Sequence, residues 1–593
     1  MLIRAVVVTT FLALGLAWSA PTASAAPPPT ISTVVVTSFD GTPILATLFV
    51  PSTATPSTPA PLVLQTHGWG GTGQRTAGGF VGQLLAAGYV VMTWDERGFG
   101  CSGGEAGIDK PQYEGRDVSS LIDYAVAHAS IATRNGNPIV GMTGGSYAGG
   151  IQTAAASIDH RIDAIAPEIS WSDLRYTLYP GGVVNQGWSL LLYGAGVPTA
   201  GGEGLDPSCP TFPQAGGLDP KITTALAEGA ATGKLSPSSL DFLAASSLLS
   251  YGSQHPVAIP TLVIQGSVDT LFDLTDGFRI YQHVRAHHAP ARFMVFCGGH
   301  VACPASYGDA HDGDHVNAAV LAWFARYLKG DTSVKTGAPV EYRTNQATWR
   351  TASSFPPAGF TAITGKGSGT LVSVPSVEQP DVAALASSLA KYGGGIPALP
   401  VTSAQVSPAD PRTVTIPLGT AGSKPVDLVG IPAVTVTVTP VVGTEISVLA
   451  KLVDRESKVV VNLQEGAVHV PLSLGKTSTA SVQMPGLAYT LPAGHHLDLQ
   501  VSTASLMHMN ARTPATVQLT ASASVPASAT VAPAATTTGA TATSAPTGTE
   551  ASAAGDDHLP ATGRALPVLL PFAVVLLALT TRRAARAHNV PGG

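Results

Sequence analysis

At 593 residues the chain exceeds what one hydrophobic core serves, so two or three domains are expected. Only 11% of its residues are charged and 45% are apolar, and 64 glycines with 47 prolines point to a β-rich, loop-rich extracytoplasmic protein. The net charge of −6 becomes −11 once a leader and a tail are removed, because five arginines and no acidic residue leave with them; that balance argues against a nucleic-acid partner.

Residues 1–25 carry Arg4, an apolar run from Ala5 to Trp18, and Ala23-Ser24-Ala25, the pattern of a secretory signal peptide. Next, Val34–Thr37 and Ile44–Val50 read as strands joined by the turn signal Phe39-Asp40-Gly41-Thr42. Apolar runs then alternate with helical patterns. Strands are expected at Leu62–Gln65, Tyr89–Trp94 and Ile139–Met142, and helices at Gly79–Ala87 and Val118–Ala127. Later strands are expected at Ala164-Ile165, Thr261–Gln265 and Arg292–Phe296, with a closing amphipathic helix over Val316–Leu328. Alternating β and α with fully apolar strands implies a parallel sheet covered on both faces. Residues 26–356 therefore predict an α/β-hydrolase domain. The stretch from about 172 to 256 interrupts it with glycine-rich turns and helical pieces at Ile222–Glu228 and Leu240–Leu249, and is expected to form a cap above the sheet.

From 357 to 522 the apolar period changes to two. Val434–Val438, Ile446–Val453, Val459–Leu463, Val468–Leu472 and Leu497–Val501 read as strands, so an all-β domain of jelly-roll type is expected. Residues 523–558 are mostly Ala, Thr, Ser and Pro and read as a linker of roughly 30–35 Å random-coil reach. In residues 559–593, Leu559-Pro560-Ala561-Thr562-Gly563 precedes an apolar stretch, Ala565 to Leu579, and then Arg582, Arg583 and Arg586. That order resembles the LPxTG cell-wall sorting signal of Gram-positive surface proteins. It implies cleavage by a sortase between Thr562 and Gly563 and joining to peptidoglycan. The apolar run is short against the ~20 residues of a spanning helix and contains Pro567 and Pro571, which suits transient membrane retention before sorting.

Chemistry enters at Gly144-Gly145-Ser146-Tyr147-Ala148-Gly149, between an expected strand and a helix-permissive stretch. A serine among tiny residues at such a turn reads as a nucleophile elbow, with the following backbone N–H groups placed to hold an oxyanion. An elbow serine needs a base and an orienting carboxylate, in the chain order Ser, Asp, His. Asp269 follows the strand Thr261–Gln265, with Asp273 and Asp276 as near rivals. His300 follows the strand Arg292–Phe296, with His311 and His315 further along the loop. Three residues at three strand ends in the right order carry the inference. His67, in Thr66-His67-Gly68-Trp69-Gly70-Gly71, sits on the wrong strand for a base and reads as shaping a turn where a second oxyanion donor is usual. Asp95-Glu96-Arg97-Gly98-Phe99-Gly100 reads as structural, with Arg97 paired internally.

Four cysteines in an exported chain permit disulfides. Cys297 and Cys303 bracket the His300 loop and are the candidate pair, leaving Cys101 with Cys209, although spacing does not decide connectivity. Cys297-Gly298-Gly299-His300 has no second Cys/His pair at ligand spacing, so neither a metal nor another cofactor is expected.

Together, Asp95–Gly100, Glu114-Gly115-Arg116-Asp117, Gly144–Gly149, Gly266-Ser267-Val268-Asp269 and His300 resemble serine hydrolases of the Xaa-Pro dipeptidyl-peptidase and cocaine-esterase type. The likeness continues through Leu428–Pro432 and Leu491–Leu497, over roughly residues 35 to 520. It implies Ser146 as nucleophile, Asp269 as orienter, His300 as base and the Tyr147 N–H in the oxyanion hole. The family often supplies a tyrosine hydroxyl as the second donor; Trp69 stands in that turn here, so its backbone or indole N–H must substitute.

The reading is a secreted, wall-anchored serine hydrolase that cleaves an ester or amide in a small ester or peptide through an acyl-enzyme. Dipeptidyl-peptidase activity would require acidic or tyrosyl anchors for a free amine, and the cap offers Glu203, Asp206, Asp219 and Glu228. An acyl or α-amino-acid esterase needs only a pocket. A non-catalytic surface binding protein with a degenerate hydrolase domain is the reading from another class, and the full Ser, Asp, His set argues against it.

Overall fold

The computed structural model describes residues 27–201, 209, 216–374, 413–505 and 507–532. The leader at 1–25, the sorting motif at 559–563, and Glu203 and Asp206 of the cap lie outside the described residues.

Strands β1 (Thr30–Thr37) and β2 (Pro43–Val50) form an antiparallel hairpin. Its turn is held by Thr42 N–H donating to Asp40 Oδ1 at 3.0 Å. After β3 (Leu62–Gln65), α1 (Gly79–Ala86) and β4 (Val90–Trp94) comes a two-residue strand, β5 (Glu105–Ala106). Helix α2 (Glu114–His128) and a short hairpin of β6 (Thr133–Arg134) and β7 (Asn137–Pro138) lead to β8 (Val140–Gly145), α3 (Tyr147–Ala156) and β9 (Ile162–Glu168). The insertion follows: α4 (Leu174–Leu178), α5 (Gln186–Thr199), β10 (Gly217–Leu218), α6 (Pro220–Thr232), α7 (Pro237–Ala245) and α8 (Leu248–Tyr251). The chain returns through β11 (Thr261–Gly266), α9 (Leu274–Ala286), β12 (Ala291–Phe296), α10 (Asp312–Tyr327), β13 (Val340–Tyr342) and β14 (Arg350–Ala352).

These strands make one mixed sheet in the order β1-β2-β4-β3-β8-β9-β11-β12-β13-β14, parallel from β4 to β13 and antiparallel at both edges. Strands β4 and β11 are buried at every position, as a sheet covered on both faces requires. Val81 and Leu84 of α1 with Val320 and Phe324 of α10 pack on one face. Leu121 of α2, Ile151 of α3 and Ile280 of α9 pack on the other. Among the described residues, no helix is long and apolar enough to cross a membrane.

The insertion differs from expectation in two places. The helix expected over Leu240–Leu249 breaks into α7 and α8 at Ser246-Ser247, where Ser247 Oγ donates back to the Leu243 carbonyl at 2.7 Å. Helix α5 forms where glycines and Pro198 suggest loop. Asn185 caps it, accepting from Trp188 N–H, and Trp188 and Leu191 are buried against the rest of the molecule.

The C-terminal region is all β. Strands β15 (Thr361–Ser373), β17 (Val426–Gly430), β18 (Ala433–Val442), β22 (Ser478–Val482), β23 (Leu487–Leu491) and β25 (Ala515–Ala527) form one antiparallel sheet. Strands β16 (Thr413–Thr420), β19 (Glu445–Asp454), β20 (Val459–Val460), β21 (Gly466–Pro471) and β24 (His496–Ser502) form a second. Burial in β25 alternates residue by residue, the mark of a sheet with one face in the core. A Cβ on Gly365, Gly367 or Gly369 of β15 would meet Leu418, Ile416 or Val414 of β16 within 2.8 Å, so this glycine stripe lets the two sheets approach closely. β25 runs to Ala527, five residues into the stretch that reads as linker.

Residues 459–463, expected as one strand, stop at Val460 and turn: Asn462 and Leu463 have φ of 56° and 58°. The turn docks on the loop that follows β11, where the Asn462 side chain donates to the Ser267 carbonyl. Residues of the cap, of the loops around β11 and β12, and of both C-terminal sheets share one apolar core.

Candidate active site

Between β8 and α3 the chain turns so sharply that Ser146 is held at φ 59°, ψ −120°. For a residue with a Cβ this is a strained conformation, and the surroundings enforce it. Ser146 N–H donates to the Glu168 carbonyl of the neighbouring strand at 2.9 Å. A Cβ on Gly144 would lie 2.7 Å from the Ala148 Cβ, and one on Gly149 would lie 2.7 Å from the Glu168 carbonyl oxygen. The tiny residues around the serine are thus a packing requirement, and they leave its Oγ above the sheet at the start of a helix.

The three residues expected to act together meet there. Ser146 Oγ lies 2.7 Å from His300 Nε2, and His300 Nδ1 lies 2.8 Å from Asp269 Oδ2. Asp269 is fully buried, and each of its oxygens is occupied. Oδ1 accepts from the N–H groups of Leu271 and Phe272 at 2.9 and 3.0 Å, and Oδ2 also accepts from His300 N–H at 3.2 Å. Gly299, at φ 130°, permits this approach, since a Cβ there would meet Asp269 Cβ at 2.4 Å. Phe272 and Trp188 pack edge-on against the His300 ring. Disulfides join Cys297 to Cys303 around the His300 loop and Cys101 to Cys209. Cys297 therefore offers no thiolate to a metal.

The rival residues are engaged elsewhere. Asp273 accepts from Tyr176 Oη at 2.7 Å and caps α9. Asp276 accepts from Ser172 and Thr177. His315 sits against Glu341 and Trp349, and His311 is exposed. Both nitrogens of His67 are used: Nδ1–H donates to the Gly68 carbonyl at 2.8 Å, and Nε2 accepts from Glu96 N–H at 2.9 Å. Burial holds its pKa low, so it stays neutral and fixes the turn. Arg97 bridges Asp117 at 2.6 Å and Asp40 at 3.0 Å.

One of two alternatives for Trp69 is removed. The Trp69 indole is not free to hold an oxyanion, because Nε1–H donates to the Leu192 carbonyl of α5 at 2.7 Å while the ring packs against Phe99 and Tyr147. Only its main-chain N–H is left for that role, beside Gly68, where a Cβ would stand 3.8 Å from Ser146 Cβ. Tyr147, at the first position of α3, presents its own N–H at the helix start.

Glu168 at the end of β9 is a residue the sequence reading missed. Its backbone anchors the Ser146 N–H, and burial raises its carboxyl pKa to about 7, opposed by the His300 charge. Its position at a strand end beside the elbow strand is the signal that would have found it. Burial also pushes the carboxyls of Glu96 and Asp109 well up and that of Glu114 to about 7. Among the described residues, Asp454, Glu456 and His495 bring ligating atoms within 4.8 Å of one another. Asp454 ends β19, Glu456 follows it and His495 precedes β24, and they already bond Ser457, Tyr489 and His496, with His495 on Asp454.

Residues 40–302 match the model of the X-Pro dipeptidyl-peptidase (S15 family). Two curated Escherichia coli relatives, each an uncharacterized 31.7 kDa protein in the traX-finO intergenic region, are 32% and 31% identical over 113 residues. Those matches cover 19% of this chain and 38% of each relative, so the chain spans less than half of their length. Among solved structures, an α-amino acid ester hydrolase superposes with a TM-score of 0.64 at 16% identity, covering 87% of this chain and 100% of that one. An aminopeptidase from the marine sediment archaeon Thaumarchaeota archaeon gives 0.63 at 14%, over 84% and 96%. A CocE/NonD family hydrolase from Staphylococcus aureus gives 0.58 at 14%, over 84% and 94%. At these identities the likeness establishes the fold. With the family match, it supports a hydrolase of the peptidase or esterase kind.

Proposed function

We propose that this protein is a serine hydrolase that cleaves an ester or amide bond through an acyl-enzyme formed on Ser146. The observation that carries the reading is a serine strained to φ 59° and linked through His300 to a buried carboxylate, Asp269. In this reading, His300 Nε2 takes the Oγ proton as Oγ attacks the carbonyl carbon, and Asp269 holds the ring through Nδ1–H. The N–H groups of Tyr147 and Trp69 stabilise the oxyanion. His300 then gives the proton to the leaving atom, and water repeats the sequence to release the acid.

Xaa-Pro dipeptidyl-peptidase and acyl-esterase activity are two specialisations of this chemistry, separated by whether a free amine is anchored. Of the cap acids, Asp219 pairs with Lys110 at 3.0 Å and Glu228 accepts from Ser236 and Ser239. Export, attachment to peptidoglycan by a sortase, and a jelly-roll topology for the C-terminal sheets belong to the same proposal and rest on sequence pattern. A fluorophosphonate probe tests its centre: the probe should label Ser146 stoichiometrically and leave Ser146→Ala unlabelled. Labelling of the variant at another serine would overturn the assignment.

A further inference from the structure

A cavity of about 1010 Å³, counting the space continuous with solvent, opens from Ser146 beneath the cap. Its wall combines aromatic rings, from Trp69, Trp171 and Phe272, with aliphatic side chains, from Leu226 and Leu235 of the cap, and Met509 of the C-terminal region. Among the described residues, no aspartate, glutamate, lysine, arginine or histidine lines it. Two of its few polar residues are occupied: Ser189 Oγ donates to the Asn185 carbonyl at 2.7 Å, and Tyr193 Oη lies 3.2 Å from Thr223 Oγ1. An ammonium group placed here would lose its hydration with no carboxylate among the described lining residues to meet it, at a cost of several kcal/mol. An aliphatic chain would gain from every methylene buried.

The same geometry says which half of the substrate enters. The leaving group must collect its proton from His300 Nε2, and His300 is not among the residues lining the cavity. Ser146 does line it, together with Trp69 and Tyr147, whose main-chain N–H groups are the oxyanion candidates, so a carbonyl held there can direct its acyl chain into the cavity.

We propose that the acyl group is a long, uncharged aliphatic chain and that the bond hydrolysed is its carboxylic ester, a proposal that rests on Ser146 being the nucleophile. Ser146 Oγ forms a bond to the acyl carbon, the C–O bond to the alcohol breaks, and the Oγ proton passes through His300 to the departing oxygen. Water then supplies a hydroxyl to the acyl carbon and a proton to Oγ, releasing a fatty acid.

The test is a series of p-nitrophenyl esters from acetate to dodecanoate beside Gly-Pro-p-nitroanilide, with the mature protein. The leaving group is constant across the esters, so chain length alone varies. We expect kcat/KM to rise about two- to fourfold per added methylene up to octanoate, the factor that burying a methylene supplies. Filling the cavity from its cap side with Ala230→Trp should lower the octanoate-to-acetate ratio by about tenfold or more. Fluorophosphonate labelling of Ser146 reads the nucleophile separately. If Ser146 labels but rates are flat or fall with chain length, or Gly-Pro-p-nitroanilide is preferred to octanoate, the acyl-chain proposal is overturned. If Ser146 does not label, the nucleophile reading fails and the proposal falls with it.

Discussion

Asn462, in a turn of the C-terminal region, donates its side-chain amide to the main-chain carbonyl of Ser267 at 2.6 Å. Two residues on, Gln464 does the same to the carbonyl of Asp269. The loop that carries Asp269 is thus held from outside the sheet that presents it. Asn462 is fully buried and Gln464 nearly so. Asn462→Ala and Gln464→Ala should each cost about 1–3 kcal/mol of stability through the stranded carbonyls. Each should also lower kcat more than it alters KM. Urea unfolding with steady-state kinetics checks both. A variant that loses stability while keeping kcat would mean that these amides hold the fold only.

If Ser146, His300 and Asp269 act as one unit, removing any of them is expected to lower turnover by roughly 10³-fold or more. The variants are Ser146→Ala, His300→Ala and Asp269→Asn, with circular dichroism confirming that each is folded. Full activity in His300→Ala would remove that residue from the reaction.

Stability should fall as pH rises through neutrality. Burial lifts the carboxyls of Glu114, Glu168 and Asp276 to about 7, against ordinary values near 4. Such a group binds its proton more tightly folded than unfolded. Its contribution is complete below the unfolded pKa and is lost as pH climbs through the folded one. Unfolding free energy from urea titrations should therefore decline between about pH 4.5 and 8, and Glu168→Gln should flatten part of that decline. A stability that rose over this interval would contradict the argument.

Anchoring is checked by fractionation of the native cells. Protein released by wall-digesting enzymes should end at Thr562. Extraction by detergent alone, with Arg582 still attached, would identify an ordinary membrane tail.

The sheet and the Ser146, Asp269 and His300 constellation were legible because a covered parallel sheet makes its strands uniformly apolar and sets functional residues at their ends. What escaped was decided by contacts distant in sequence. Val459–Leu463 is apolar enough for a strand, yet it turns at Asn462 because that side chain meets Ser267, 195 residues away. Helix α5 carries Gly187, Gly194, Gly196 and Pro198 and has little helical preference of its own; burial of Trp188 and Leu191 makes it a helix. Trp69 was legible as a residue of the turn after β3, but not that its indole is taken by Leu192 in that same helix.

The tie between cap and C-terminal region has a consequence for how this architecture can be rebuilt. Gly187 N–H donates to the Met507 carbonyl and Met509 N–H to the Val184 carbonyl, both at 2.9 Å, and Met507 stands where a Cβ on Gly187 would be. A chimaera that carried residues 172–256 onto a different sheet would strand the Gly187 N–H and the Val184 carbonyl and open the inner wall where Met509 stood. New specificity therefore has to be sought by changing the two regions as a pair, or by substitution within a cap left in place.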